Sequence, residues 1–472
     1  YRWVATTLKD VIRRDANRRE TWSDSLDRWL THRVWGLAVF VLIMLTMFVS
    51  VLYLSEPFKN LLENFLINPL INYCNSTLSD GPFKSLLTKG VLGGVGGVIT
   101  FLPQIFVLFF FIAILEDCGY MARAAYLMDR LMSRIGLNGK SFIPLLSSFA
   151  CAIPGIMGAR VIENPRDRLI TILVSPLMSC SARLPVYTLL IYAFIPEQFL
   201  FGFLPLQAVV MVAMYFLGIV MAIAVALILK RTLLTGKTPP FVMELPMYKI
   251  PAVRLVLLRM ADRGLSFVYR AGTLILAVSV LVWAAAYYPH REEAIPAELR
   301  AREKELVTQI AAGPNDTLQS ELLHIRREME GAWLADSYLG RIGKQIEPVV
   351  KPLGWDWRIG CAAIASFPAR EVVVATLGII FNLGEDVDEG STELHTALQG
   401  ATWPGTQQKL ITIPVALSIM VFFSLCAQCF STLVTIQRET NSWRWPIFTF
   451  VYMTTLAYLV AMLTYQIGSR LG

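Results

Sequence analysis

The sequence predicts an all-α, polytopic helical membrane protein, and three observations carry that fold class. Of 472 residues, 55% are hydrophobic and only 16% are charged, against about 25% charged in soluble domains. Several windows run for about 20 apolar residues, the length that crosses a hydrocarbon core roughly 30 Å thick. The runs also lack the alternation of barrel strands. In lipid each backbone donor and acceptor must be satisfied within its own segment, so the spanning pieces are helices.

In chain order, residues 1–33 are basic and polar and end in SDSLDRWLTHR, which predicts a cytoplasmic linker with an amphipathic helix. Residues 34–87 hold a first span, Val34–Leu54, and an amphipathic stretch, Phe58–Leu78, suited to the membrane interface. Residues 88–230 form a first repeat. Its opening, GVLGGVGG, permits close helix packing. Its span leads into EDCGYMARAAYLMDRLMSR, whose basic residues place it on the cytoplasmic side. The segment SFIPLLSSFACAIPGIMGARVI, residues 141–162, is apolar but interrupted by Pro144, Pro154, Gly155 and Gly158. That pattern predicts two half-helices meeting at a tip, a re-entrant hairpin. Arg168–Ile195 is broken by SPLMSCSARLP, and Phe203–Leu229 is a clean span.

Residues 231–263 read as a basic cytoplasmic loop, where part of the net charge of +7 is expected to sit. Residues 264–470 form a second repeat. It begins with a span, Leu265–Tyr288, and contains a polar insert, 289–356, with two soluble helices around a Gly-Pro turn. Trp357–Phe381 then carries SFPAREV, residues 384–409 are acidic, Ile411–Gln437 is broken by SLCAQCFST, and Trp445–Tyr465 closes the chain.

The two interrupted pairs match. Pro154 aligns with Pro368 and Cys180 with Cys426, and both broken helices open on LITI, at Leu169–Ile172 and Leu410–Ile413. Counting spans from a cytoplasmic N-terminus gives the halves opposite orientation. Interrupted segments at corresponding positions of inverted repeats point to a transporter's substrate site.

Each break carries a candidate ligand. Cys151 lies at the first hairpin tip, Cys180 in the first broken helix, and Cys426 and Cys429 in the second. The last two share a face if that stretch is helical. Thiolates favour soft or borderline metals over Mg or Ca. Against this stands the tendency of free cysteine to pack as a small hydrophobe, and a CxxC pair also serves redox chemistry. The coincidence of cysteines with breaks in both halves favours metal. The odd count of seven argues against a disulfide framework. Cys74 has no evident partner, and Cys118 and Cys361 sit away from the break centres and read as packing. Glu116, Asp117 and Glu371 are further candidate metal ligands, since ionisable groups in spans mark ion paths. Glu371 also reads as a partner for Arg370 or Arg183, and Glu116 and Asp117 as a membrane boundary. Arg183, beside Cys180, repels a bare cation and is expected to hold its half-helix or to pair with a carboxylate. All four histidines, His32, His290, His324 and His395, lie outside the spans.

The stretch from EDCGYMARAAYLMDRLMSR through SFACAIPGIMGARVIENPRDRLITILVSPLMSCSARLPVY resembles the first Gate region of the bacterial ferrous iron transport protein B (FeoB) family. FPAREVVVATLG resembles the second Gate region, and SLDRWLTHRVWGL and CAQCFSTLVTIQRETNSWRWP resemble the family's start and end. The Gate regions in turn resemble concentrative nucleoside transporters. The resemblance implies a ferrous iron permease of the bacterial inner membrane. It carries the family's cysteines onto Cys151, Cys180, Cys426 and Cys429. It implies Fe2+ as transported substrate with no permanently bound cofactor. It also implies the lipid bilayer, an N-terminal GTPase domain and small cytoplasmic accessory proteins as partners, with a homo-oligomer compatible and nucleic acid not expected. The sequence starts at Tyr1 rather than Met, which reads as a fragment or processed product, and has no G-x-x-x-x-G-K-[ST] loop. On this reading it is a transporter membrane domain rather than an enzyme. FPAREV lacks a cysteine, which predicts an asymmetric site. The alternative is a nucleoside or other organic-solute carrier of the same fold, although amide-poor tips fit such a solute poorly.

Overall fold

A computed structural model of the chain describes residues 22–471 except 33, 80, 201, 203, 237–247, 292, 294, 313–315, 368–369, 371, 382, 384–391, 404–406 and 428. Helix α1 (Trp22–Leu30) is amphipathic, as expected. Helix α2 runs from Trp35 to Thr77 with a π-helical turn at Glu63–Ile67. The separate interfacial stretch expected after residue 54 is therefore a continuation of the first span. Pro57 sits inside the helix without ending it. At 1.5 Å per residue, its 43 residues reach about 64 Å, roughly twice the hydrocarbon thickness. Helix α3 (Pro82–Asp117) packs back along it, and helix α4 (Tyr120–Ile135) follows a left-handed Gly119. Buried Arg123 of α4 pairs with Asp27 at 2.7 Å and lies over the Tyr248 ring at 3.9 Å, tying α1 to α4.

The first hairpin consists of α5 (Phe142–Ala150) and α6 (Ala152–Gly158), with Cys151 extended between them. The arms approach so closely at Gly155 that a Cβ there would lie 1.9 Å from Ser148 Oγ and 2.7 Å from the Pro144 carbonyl. Helix α7 (Pro165–Val174) then passes through a 3-10 turn at Ser175–Leu177, an extended stretch, and a second 3-10 turn at Ser181–Arg183 into α8 (Leu184–Phe194). Pro176 and Pro185 flank this break, and each lacks the N–H that a continuous helix needs. A two-residue hairpin, β1 (Phe199–Leu200) with β2 (Leu204–Pro205), leads into the span α9 (Leu206–Thr232).

The basic segment expected as a loop is partly helical. Val253–Phe267 forms α10, which continues through a π turn at Val268–Gly272 into α11 (Thr273–Tyr287). Pro251 precedes α10 and no proline interrupts it, so the helix propagates past the expected boundary. In the insert, α12 (Ala297–Ala312) and α13 (Asp316–Asp336) are the two expected helices, and their Gly-Pro turn lies outside the described residues. They share a small core around Leu306 and Ile325 and are laced by Arg302–Glu321 and Arg326–Glu303 pairs. A third helix, α14 (Tyr338–Val350), returns the chain.

The second half repeats the order of elements. Helices α15 (Trp357–Ala365) and α16 (Val372–Ile380) form its hairpin, and α17 (Thr392–Gly400) precedes the broken pair α18 (Ile413–Leu425) and α19 (Phe430–Thr440). Helix α20 (Arg444–Leu471) packs along α18. The two broken helices run antiparallel. At one face Arg168, at the start of α7, meets Glu439, at the end of α19, at 3.2 Å. At the other face the end of α8 meets α17, where Gln399 donates to the Ala193 carbonyl and Tyr192 stacks on His395. A continuous apolar core spans both halves, with Leu173, Tyr187, Trp355 and Phe423 fully enclosed.

Candidate functional site

The breaks place their polar groups in the middle of this core. After the 3-10 turn of the first broken helix, Met178 and Cys180 are extended. The orphan carbonyls there are capped by the buried Arg183. Its Nη1 donates to the Leu177 carbonyl at 3.2 Å and to Ser179 Oγ at 3.2 Å, and its Nη2 to the Pro176 carbonyl at 2.9 Å. Of the two roles expected for Arg183, it thus takes that of holding its half-helix.

The second break is made differently. No proline lies between Leu425 and Ser431. Cys426 ends α18 in an extended conformation and Cys429 caps α19 in another. The two are not on a helix, so the condition for a shared face is not met. The cap comes from the second hairpin, where Arg370 donates to the Phe423 carbonyl at 3.0 Å and to the Cys426 carbonyl at 2.9 Å. Both arginines neutralise the negative end of a half-helix.

A cavity of about 650 Å³ lies at the breaks. Cys151, Cys180 and Cys429 line it together, with Met178, Arg370 and Tyr215. Cys426, only 1% exposed, is packed in the core beside it. Cys180, Cys426 and Cys429 all fall within electrostatic range of Arg370. The rest of the lining is mostly apolar, with α2 contributing Phe40, Met44 and Met47, so the first span helps to close the site. Among the described residues, the Tyr215 hydroxyl, Ser431 Oγ and Arg370 Nε are buried polar atoms without a hydrogen-bond partner. Also among the described residues, no three His, Cys, Asp or Glu side chains converge tightly enough to hold a metal ion. The thiols share a chamber without forming a closed coordination shell.

The remaining candidates separate. Glu116 pairs with Arg263 at 3.3 Å in an exposed position, and Asp117 accepts from the Ala252 amide at 2.9 Å. Both tie the end of α3 to α10, Asp117 at the residue before its first turn and Glu116 near its far end. Glu371 lies outside the described residues. Cys361 is fully buried in a separate apolar cluster, as packing predicts. Sequence reasoning missed Tyr215, hidden in an uninterrupted apolar span, and Ser431, whose signal was the small polar run CFST after the cysteine pair.

The sequence profile of the Gate family, described as nucleoside recognition, matches residues 98–194 and 268–443, more than half of the chain and one segment in each half. A second profile, described as the C terminus of ferrous iron transport protein B, matches residues 211–263. The Fe(2+) transporter FeoB of Leptospira biflexa is 41% identical across 96% of this chain and 60% of its own length. The chain belongs to the FeoB family. It matches that family's membrane region. A Porphyromonas gingivalis protein, named a fusion of Fe(2+) transport protein A and Fe(2+) transporter FeoB, is 38% identical across 99% of this chain and 54% of its own length. The Campylobacter jejuni FeoB is 34% identical across 94% of the chain and 65% of its own length. The chain therefore spans somewhat more than half the length of the FeoB relatives it matches. No solved structure matches. Among the described residues, six helices are long and apolar enough to cross a membrane, which makes this FeoB region multi-pass.

Proposed function

We propose that the chain is the permease part of a ferrous iron transporter of the bacterial inner membrane, in which Fe2+ passes the cavity at the two helix breaks. The observation that carries this reading is the meeting of Cys151, Cys180 and Cys429, from three separate breaks, in one chamber. Their softness suits Fe2+. Cys426 completes the set if the Arg370 cap shifts, and Glu371 is the carboxylate next to Arg370 in sequence. Metal binding to thiols releases protons, which offsets the positive field of Arg183 and Arg370. Residues 88–230 and 264–470 are the two inverted repeats on this reading. The face of Arg168 and Glu439 is cytoplasmic and contacts an N-terminal GTPase domain that controls opening. The name of the Porphyromonas gingivalis relative, which joins a transport protein A to FeoB, supports a small accessory protein as partner.

Uptake of radioactive iron by membrane vesicles, compared for wild type and for Cys151→Ser, Cys180→Ser and Cys429→Ser, tests the proposal. A fall of about tenfold or more is expected for each, the effect of losing about 1.4 kcal/mol at the rate-limiting step. Unchanged flux in all three contradicts it.

A second reading has its own observation. A chamber of about 650 Å³ exceeds the need of a bare ion and falls in the range of small-molecule sites, and the Gate profile is described as nucleoside recognition. Nucleoside uptake that survives the serine substitutions, with no iron uptake, favours an organic-solute carrier.

A further inference from the structure

A second cavity, of about 390 Å³, adjoins the first and shares Cys151 and Ser431 with it. One wall is α19, which presents Ser431, Thr435 and Glu439 to it along with Arg438, and Asp262 and Arg263 of α10 also line it, Arg263 being paired with Glu116. Ser431, Thr435 and Glu439 are four apart and so lie above one another on one helix face. Ser431 is 2% exposed, and among the described residues its Oγ has no hydrogen-bond partner. The Thr435 hydroxyl donates its proton to the Ser431 carbonyl at 2.8 Å, so its oxygen is left as an acceptor in a residue that lines the cavity. The stripe ends at Glu439, whose side chain is only 4% exposed.

Glu439 is held from the opposite half. Arg160, which follows the first hairpin, donates to it through Nε at 2.8 Å and Nη2 at 2.6 Å, and Arg168 adds a contact at 3.2 Å. The two arginines differ in freedom. Arg160 is 59% exposed and Arg168 33%, so Arg160 can swing into water while Glu439 stays in the wall.

We propose that this second cavity is the branch by which the cation passes between the thiol chamber and the Arg160 face, with Ser431, Thr435 and Glu439 as oxygen steps and the Arg160–Glu439 pair as its latch. The inference rests on the metal-permease reading. Conduction needs sites that bind well enough to enter and weakly enough to leave. Thiols alone hold a soft cation too firmly for that, and a hydroxyl ladder ending in a carboxylate grades the release. At the end of the ladder the cation replaces Arg160 as the partner of Glu439. Arg168 remains, so the carboxylate is never left without a countercharge.

Loss of either partner weakens a pair that only braces the two halves, more so at Glu439, which also holds Arg168, whereas loss of Arg160 opens a latch. The test is iron flux in membrane vesicles from cells producing the protein, with Cd2+ binding at the thiols read by thiolate-to-metal absorption. Arg160→Ala is expected to raise flux by about threefold and Glu439→Gln to lower it by about tenfold, with the thiol absorption unchanged in both. Thr435→Val, which leaves the pair intact, is expected to lower flux by about threefold. Flux in Arg160→Ala at or below wild type, with Thr435→Val at wild-type flux, overturns the latch while leaving the permease reading standing. Wild-type protein that moves no iron and shows no thiol absorption overturns both.

Discussion

The two helix breaks occupy equivalent places in the two halves and are built by different means. The first is written locally. Pro176 and Pro185 interrupt the helix, and Arg183 caps it from within the same segment. The second has no proline, and its cap, Arg370, comes from another element more than fifty residues away. The hairpin tips differ as well, since Cys151 has no counterpart in SFPAREV. The fold is repeated, but the chemistry is not. A local break persists whatever packs around it. A break held by a tertiary contact opens or closes with the element that holds it.

The largest expected effect breaks the comparison at Arg370. Arg370→Ala leaves two buried carbonyls uncapped and is expected to cost about 3 kcal/mol, from hydrogen bonds to a charged donor, measured by thermal unfolding in detergent. Cys426 then becomes reactive to maleimide, while Arg183→Ala leaves the reactivity of Cys180 unchanged because the prolines still break that helix. Equal changes at the two breaks contradict the distinction. Next is Gly155→Ala, which forces a methyl into Ser148 and the Pro144 carbonyl. A loss of about 2 kcal/mol is expected from overpacking, and the arms of the first hairpin separate. Wild-type stability in that variant shows the arms to be loosely packed.

A third prediction needs no destabilising change. In the wild type, Cys151, Cys180 and Cys429 line the chamber, whereas Cys361 and Cys426 are 0% and 1% exposed. Maleimide is expected to modify the first three about tenfold faster, since reactivity follows access, and Cd2+ to protect them. The smallest effect is at the surface. The Lys140 ammonium beside it holds the Glu163 carboxyl below the ordinary carboxylate range. The contribution of this pair is therefore present above the usual glutamate pKa and is lost as pH falls through the lowered value. Glu163 is 86% exposed, so screening leaves little of it. Glu163→Gln is expected to leave the unfolding midpoint within error at neutral pH, and a clear drop contradicts that.

Much of this was legible in the sequence. Pro144, Pro154, Pro176 and the glycines around Cys151 announced the first hairpin and the first break, because proline and glycine act locally. The second break was legible only through its likeness to the first. The Arg370 cap depends on which distant carbonyls α15 and α16 bring near, and no local pattern encodes that. The continuity of α2 past Pro57 was missed because polar residues after residue 54 read as the membrane edge. The helix instead runs on to Thr77 and packs on α3. The partners of Glu116 and Asp117, Arg263 and the Ala252 amide, lie more than a hundred residues away in sequence and have no local signature either. Tyr215 gave no signal, since its neighbours in the span are uniformly apolar.

The meeting of the three cavity thiols around a transported metal is tested most directly by a structure of the protein loaded with Fe(II), with anomalous scattering measured at the iron edge. A peak in the chamber between Cys151, Cys180 and Cys429 is the expected result, with Arg370 still on the Phe423 and Cys426 carbonyls or displaced toward the metal. Iron bound only at Glu116 and Asp117, or a peak that persists when all three cysteines are serine, contradicts it.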